Sequence, residues 1–392
     1  MKISNNTKVL ILLRIKLNQN EKIDLLKPKE LRSVICYLQN SKLEPKDLVK
    51  TNQQSLALNI EKELGIKAIR LNALLNRGIS LGFSLNNWSQ LGIWVISIFD
   101  KEYPIFFRIR NRKNQPFLIF GCGDINIINS GGLAVIGSRN ANNKAIKYAF
   151  ETGRKLAQNH ITIISGGAKG IDSSSVDGSL INNGKSVIVS GSDLERMVVI
   201  KKFRDFIMDN KLTIISMEVP NARWTPGRAM ARNKFIYILS NAALVVECED
   251  KKGGTWSGAI ENLKSSWVPL YVRENHENAL GNEELLNRGA SKDSCINLSK
   301  ILRDAEGSCK CSKSSKLTKV LGFAGISEGL TDSRNFSITF NFLLRQIFAR
   351  CLLGSITVTG ILVSNSISSA KIPYHPQYLL LDDLMHHTVS GH

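Results

Sequence analysis

Three short glycine-bearing turns hold most of the chemistry that this sequence spells out. They are Gly137-Ser138-Arg139, Ser165-Gly166-Gly167-Ala168-Lys169-Gly170 and Gly253-Gly254-Thr255. Each follows a short apolar run and leads into a stretch with helical spacing. Glycine lets a backbone approach an anion closely, and serine or threonine hydroxyls add donors. The first N–H groups of the helix that follows have no partner within it and lie at the positive end of its dipole. One such turn would be no more than a tight turn. Three on one edge would make a phosphate-binding rim. None is a Walker sequence, because the G-x-x-x-x-G-K-[ST] spacing is absent, and none follows G-x-G-x-x-G.

A fourth element adds charge. The stretch AMARNKFIYILS (229–240) opens with Arg232-Asn233-Lys234 and then runs apolar at helical intervals. Read as a helix start, it places two cations against the local dipole, which suits an anionic ligand; the alternative is a solvated helix end. Trp224 and Trp256 offer flat faces on which bases could stack, or else they pack as core residues. Trp267, just before a strand, reads as packing.

These residues need a scaffold, and the chain from Leu133 onward supplies one. The runs LAVIGS (133–138), ITIIS (161–165), SVIVSG (186–191), LTIIS (212–216), AALVVEC (242–248) and VPLYVR (268–273) read as short buried strands. Helical stretches separate them. That alternation predicts an α/β fold, an extended Rossmann-like, doubly wound parallel sheet, with ligands at the carboxyl ends of its strands. Two further strands are expected between Trp94 and Asp124, around Pro104 and Pro116. Residues 1–91 place apolar side chains at intervals of three and four and read as a small helical domain. Val9–Leu13 belongs there to an amphipathic helix; it is too short for a secretory signal or a membrane span. The α/β domain is expected over 92–300. Residues 301–392 are rich in serine without clear period and read as a poorly defined C-terminal region.

The chain of 392 residues carries 52 basic and 33 acidic side chains, a net charge of +19 with a bias toward the N-terminal part. Such an excess suits a polyanionic partner. The many Lys, Asn and Ile residues would equally follow from an AT-rich genome. The seven cysteines show no paired spacing. Cys309 and Cys311 form a lone C-x-C without a second pair, so neither a disulfide framework nor a zinc site is expected. His386 and His387 have nothing to support a metal. No metal and no cofactor are expected.

With these residues in hand, the chain resembles the DNA-processing protein A family (DprA/Smf). The likeness runs over about residues 92–290, through GIWVISIFDKEYPIFFR, GSR (137–139), SGGAKGID (165–172), ISMEVP (215–220), RNK (232–234), GGTWSGAIE (253–261) and GNEELLNRGA (281–290). The N-terminal helices are similar, more loosely, to the family's SAM-like helical domain. The resemblance implies a cytoplasmic, non-enzymatic protein that binds single-stranded DNA. It would protect incoming DNA in natural transformation and help load a RecA-type recombinase, with no membrane association and in keeping with a homodimer. The phosphate pocket it implies comprises Gly137, Ser138, Arg139, Ser165, Gly166, Lys169, Arg232, Asn233 and Lys234. Gly167, Gly254 and Thr255 join it from the glycine turns. Asp172 is expected to cap the helix that follows, since a carboxylate among phosphates would repel them. Lys144, Lys147, Arg223 and Arg228 should extend a DNA track.

The departures mark a divergent branch. Ser175 and Val176 stand where the family usually has Ala-His, Arg-Asn-Lys replaces Arg-Asn-Arg, the GGTW turn differs, and no winged-helix pattern follows residue 300. A second reading is an enzyme. The stretch GGTWSGAIE also resembles, faintly, the glycine turn of LOG-type nucleotide phosphoribohydrolases, and Arg232 and Glu261 would then be the catalytic candidates. A nucleotide-sensing module would use the same pocket for a free nucleotide.

Overall fold

A computed structural model of the chain describes residues 3–301 apart from 19, 51, 52, 192 and 275–279. Cys309, Cys311, Cys351, His386 and His387, and all but the first residue of 301–392, lie outside the described residues.

Five helices come first: α1 (Asn5–Arg14), α2 (Pro28–Asn40), α3 (Gln53–Leu64), α4 (Ala68–Leu75) and α5 (Gly78–Gln90). The first is not the amphipathic helix expected of it. Val9, Leu10, Ile11, Leu12 and Leu13 are all buried, so it is apolar on every side and is enclosed. Its last carbonyls are met by Arg77, which donates to Leu12 and Ile15 and pairs with Glu21 at 2.8 Å. Thr7, also buried, sets its hydroxyl 2.8 Å from Ser97 Oγ and 2.5 Å from Asp100 Oδ2, which fixes α1 to the edge of the sheet. Apolar residues of the helices and of the sheet then share one core. Trp88 of α5, for example, meets Phe120 edge-on at 5.2 Å.

Nine strands form a single sheet: β1 (Trp94–Ser97), β2 (Leu118–Cys122), β3 (Leu133–Ile136), β4 (Ile163–Ser165), β5 (Ser186–Ser190), β6 (Leu212–Ser216), β7 (Ala242–Val245), β8 (Leu270–Val272) and β9 (Ser291–Lys292). Their order is β1-β2-β6-β5-β4-β3-β7-β8-β9. The six strands expected from Leu133 onward are all parallel, and β1 and β2 run antiparallel to each other, β2 also to β6. The ninth, two exposed residues long, has no periodic signature. Between the strands run α6 (Ile105–Arg110), α7 (Asn143–Gln158), α8 (Ile171–Ile181), α9 (Leu194–Val199), α10 (Lys201–Met208), α11 (Pro226–Leu239), α12 (Gly253–Ser265) and α13 (Leu280–Asn287). Among the described residues no helix is long and apolar enough to cross a membrane.

Two strands end two or three residues before their apolar runs do. β3 stops at Ile136 and β7 at Val245, which leaves Gly137–Ser138 and Val246–Cys248 beyond the ladder at the carboxyl edge. The helices behind that edge are held close by glycine. A Cβ on Gly153 of α7 would strike the Ser175 carbonyl, and one on Gly178 of α8 would strike the Phe150 carbonyl. The two backbones thus meet through a pair of glycines. Gly178→Ala should therefore force the helices apart and cost about 1–3 kcal/mol. Urea unfolding checks this, and an unchanged midpoint would show that the helices have slack.

Candidate functional site

The sheet order reverses at β3. From there the chain passes to β4 on one side and, later, to β7 on the other. Open α/β sheets bind ligands in the crevice that this reversal leaves at the strands' carboxyl ends. Here a cleft of about 420 Å³ opens at that place. Gly137, Ser138, Arg139 and Asn140 line it from the turn after β3, and Cys248 and Glu249 from the turn after β7. The first turn of α12 closes one side with Gly253, Gly254 and Thr255, whose helix begins at Gly253, earlier than expected. Its first N–H groups lie at a helix N-terminus facing the cleft.

Asp172 organises the centre. It does not cap α8, as the sequence reading supposed. The N-cap is Gly170, with no side-chain capping bond. The Asp172 side chain is turned inward, where Oδ1 accepts from the Gly137 N–H at 3.2 Å. The N–H groups of Gly166 and Ala168 also favour its charged form. The carboxylate therefore faces the second turn and is tied by a hydrogen bond to the first. Burial pushes the Asp172 carboxyl up, against the pull of Arg232 and of the three N–H groups. Three glycines let the turns close this tightly. A Cβ on Gly137 would meet Ile171, one on Gly166 would meet the Arg232 guanidinium, and one on Gly170 would lie 2.6 Å from the Ser138 carbonyl.

Arg232 faces this carboxylate from α11 and is 8% exposed. Its Nε and Nη1 are buried and find no hydrogen-bond partner among the described residues. Burial drives the guanidinium down from its ordinary range, Asp172 holds it up, and the like charge of Arg139 pushes it down again. Arg139 itself lies over the Trp224 ring at 5.5 Å. Together the two divide the cleft from a neighbouring one of about 270 Å³, which Gly166, Gly167 and Lys169 line. Trp224 is 52% exposed, whereas Trp256 is a core residue at 9% and Trp267 packs against the same core.

The structure brings together most of the residues singled out, in altered roles. Ser138 Oγ accepts from the Asn140 N–H and keeps its own O–H, while its backbone N–H is spent on the Glu247 carbonyl. Ser165 is fully buried and donates to the Val135 carbonyl at 2.7 Å, so it joins β4 to β3 and lines none of these clefts. Thr255 donates to the Gly137 carbonyl at 3.0 Å and clamps the third turn to the first. Asn233 donates to the Gly254 carbonyl at 3.0 Å. The triplet Arg232-Asn233-Lys234 lies within α11, not at its start. That helix begins at Pro226 with Thr225 as cap, so the dipole argument does not apply to the triplet. Lys234 is in a different cleft altogether, as is Arg228. Lys144 and Lys147 are exposed on α7 and Arg223 is exposed beside Trp224, and none of the three lines the cleft. Glu261 is exposed on α12 and outside it too, which leaves the hydrolase reading without its carboxylate in place. Asp172 and the Arg139–Trp224 pair are what the sequence reading missed. A lone carboxylate beside three glycines, on a helix whose other side chains are mostly apolar or hydroxylic, was the available signal.

An anion on Arg232 would complete a half-made site. Arg232→Met substitutes a shorter, unbranched apolar side chain and removes two buried unpaired donors, each costing about 1–3 kcal/mol. Asp172 loses its counter-charge but keeps its N–H bonds. The ligand-free variant is thus expected to unfold within about 2 kcal/mol of the wild type. Inorganic phosphate should raise the melting temperature of the wild type and leave the variant's unmoved. A variant still stabilised by phosphate would place the anion elsewhere.

Comparison with known proteins bears on this arrangement. The family profile of DNA recombination-mediator protein A matches residues 94–305. The chain is 29% identical over 159 residues to DNA processing protein DprA of Streptococcus pneumoniae, covering 40% of this chain and 55% of that protein. It is 23% identical over 169 residues to DNA processing protein DprA of Bacillus subtilis, covering 42% and 56%. It thus spans about half the length of these relatives. The X-ray structure of DNA processing protein A from Streptococcus pneumoniae superposes with a TM-score of 0.54 at 20% identity, over 74% of this chain and 95% of that one, a likeness of fold. The profile covers more than half of the sequence and spans every strand of the sheet and every turn of the cleft: the chain belongs to the DNA recombination-mediator protein A family.

Proposed function

We propose that this protein binds single-stranded DNA through phosphates seated in the cleft at the carboxyl edge of β3, β4 and β7. The unpaired Nε and Nη1 of Arg232 carry the proposal. A buried guanidinium with open donors is costly in an empty site and is matched by a phosphate oxygen. Arg139, Ser138, Lys169 and the N–H groups at the start of α12 add donors around it, with Gly137, Gly166, Gly167 and Gly254 giving the backbone room. Trp224, exposed at the mouth, offers a face on which any base can stack. Asp172 and Thr255 hold the turns, Asn233 holds α12, and Ser165 holds the sheet.

On this reading the protein is a binding protein without covalent chemistry and without a cofactor. It protects single strands in the cytoplasm and passes them to a RecA-type recombinase, and a homodimer would present two clefts to one strand. Residues 1–91 act as a helical domain and 92–300 as the DNA-binding domain.

A salt titration of binding to a labelled oligo-dT tests this. Log affinity should fall with log salt by roughly 0.7 for each phosphate engaged on a single strand. Arg139→Ala should weaken binding and flatten that slope by about 0.7. A protein indifferent to the oligomer would remove the DNA reading.

A further inference from the structure

A second cleft, of about 570 Å³, lies on the other side of α11. Its walls come from the end of α1 and the loop beyond it, from α2, from the approach to β2, from the turn after β6, and from α11. Arg14, Lys16, Arg32, Arg228 and Lys234 all line it, against a single carboxylate, Glu218. Glu218 is already paired with Arg228 at 3.2 Å. Arg14, Lys16, Arg32 and Lys234 have no carboxylate at ion-pair distance among the described residues. Folded surfaces usually intersperse the two signs, and a groove of one sign concentrates counter-ions. The floor is partly apolar: Pro28, Pro116, Phe117 and Met217 contribute, and the Arg32 guanidinium lies 5.6 Å from the centre of the Phe117 ring.

One segment of the chain reaches from this cleft to the first. The segment from Met217 to Pro226 begins in the second, where Met217, Glu218 and Val219 are lining residues. It ends in the first, where Trp224 and Pro226 are. Arg228 donates to the Arg223 carbonyl at 2.6 Å and so fastens that segment across the start of α11. The two clefts are then separated by little more than one helix, about 10–12 Å across. A polymer with a charge on every unit can occupy both, whereas a free nucleotide cannot.

We propose that the second cleft binds the phosphodiester backbone of the same single strand, carried around the N-terminal end of α11 from the first cleft. The inference rests on the DNA-binding reading above and extends it to a site formed partly by the N-terminal helices. Charge complementarity and the segment that reaches both clefts favour a nucleic acid over an acidic protein segment, which would need neither the first cleft nor the joining loop.

The test compares two lengths of oligo-dT, about 6 and about 30 nucleotides, on the whole protein. Lys16→Gln combined with Arg32→Gln changes two exposed side chains, and an unchanged melting temperature confirms the fold. The short oligomer should bind wild type and double variant alike. The long one should bind the double variant roughly tenfold more weakly, with a salt slope lower by about 1.4, or about 0.7 for each phosphate released. In the wild type, the long oligomer and not the short one should shield Lys16 from acetylation, a readout that needs no variant. If both lengths bind wild type but the double variant keeps full affinity and slope, and Lys16 stays reactive, the second cleft is not a DNA site and the first stands. If neither length binds, both readings fall together.

Discussion

The buried carboxylate of Asp172 is the constraint on which the site depends. A carboxylate withdrawn from water is costly unless hydrogen bonds and a counter-charge replace its hydration. Here the Gly137 N–H donates to it, the Gly166 and Ala168 N–H groups favour its charge, and Arg232 supplies the counter-charge. Those partners come from the turns after β3 and β4 and from α11, three elements far apart in sequence. They can converge on one carboxylate only if the backbones come unusually close, hence the glycines at 137, 166 and 170. The glycine pattern, which looks like a cradle for an external phosphate, is in the second turn a cradle for an internal anion. The cleft opens beside this anion, which lines it together with the arginine that it holds.

That arrangement leaves the protein with an unfinished interaction. Arg232 is matched in charge by Asp172 and yet keeps two nitrogens without partners. The side chain is nearly enclosed, with the Gly166 backbone close against its guanidinium, yet it lines the cleft. A purely structural ion pair would use all of its donors, because the interior rewards full satisfaction and penalises a partial one. Keeping donors open at the floor of a cleft is instead how a binding site stores free energy that a ligand releases. Thr255 and Asn233 are consistent with this division of labour. Each ties α12 to the rest of the rim through a carbonyl, Gly137 or Gly254, and so uses no N–H group at the start of α12.

Much of the fold was legible because a parallel sheet writes itself as apolar runs between helical stretches. Every such run from Leu133 onward is a strand, and the reversal at β3 follows from where the chain goes next. Three things were not legible, each for a physical reason. Val9–Leu13 is enclosed by the other helices and by β1 and β2, and a continuous apolar run has no periodicity from which to read that. β9 is two exposed residues whose place is set by β8 alone. Asp172 lies one residue after the turn's last apolar residue, where an N-capping role is locally reasonable. Only the tertiary approach of Gly137 and Arg232 draws it inward. The site was therefore found as a location before its parts could be assigned.

The triplet Arg232-Asn233-Lys234 shows how helical geometry could have sharpened that assignment. Successive residues on an α-helix point 100° apart, so three in a row fan over about 200° and cannot all face one ligand. Charge alone made the triplet look like a single anion site. The backbone that carries it sends Arg232 and Asn233 into one cleft and Lys234 into another. Arg228, one turn before Arg232 and nearly in line with it, lines that second cleft from the helix's first turn. A helix that places cations on opposite sides of itself does not suit one compact anion. It suits either two ligands or one that is long enough to pass around its end.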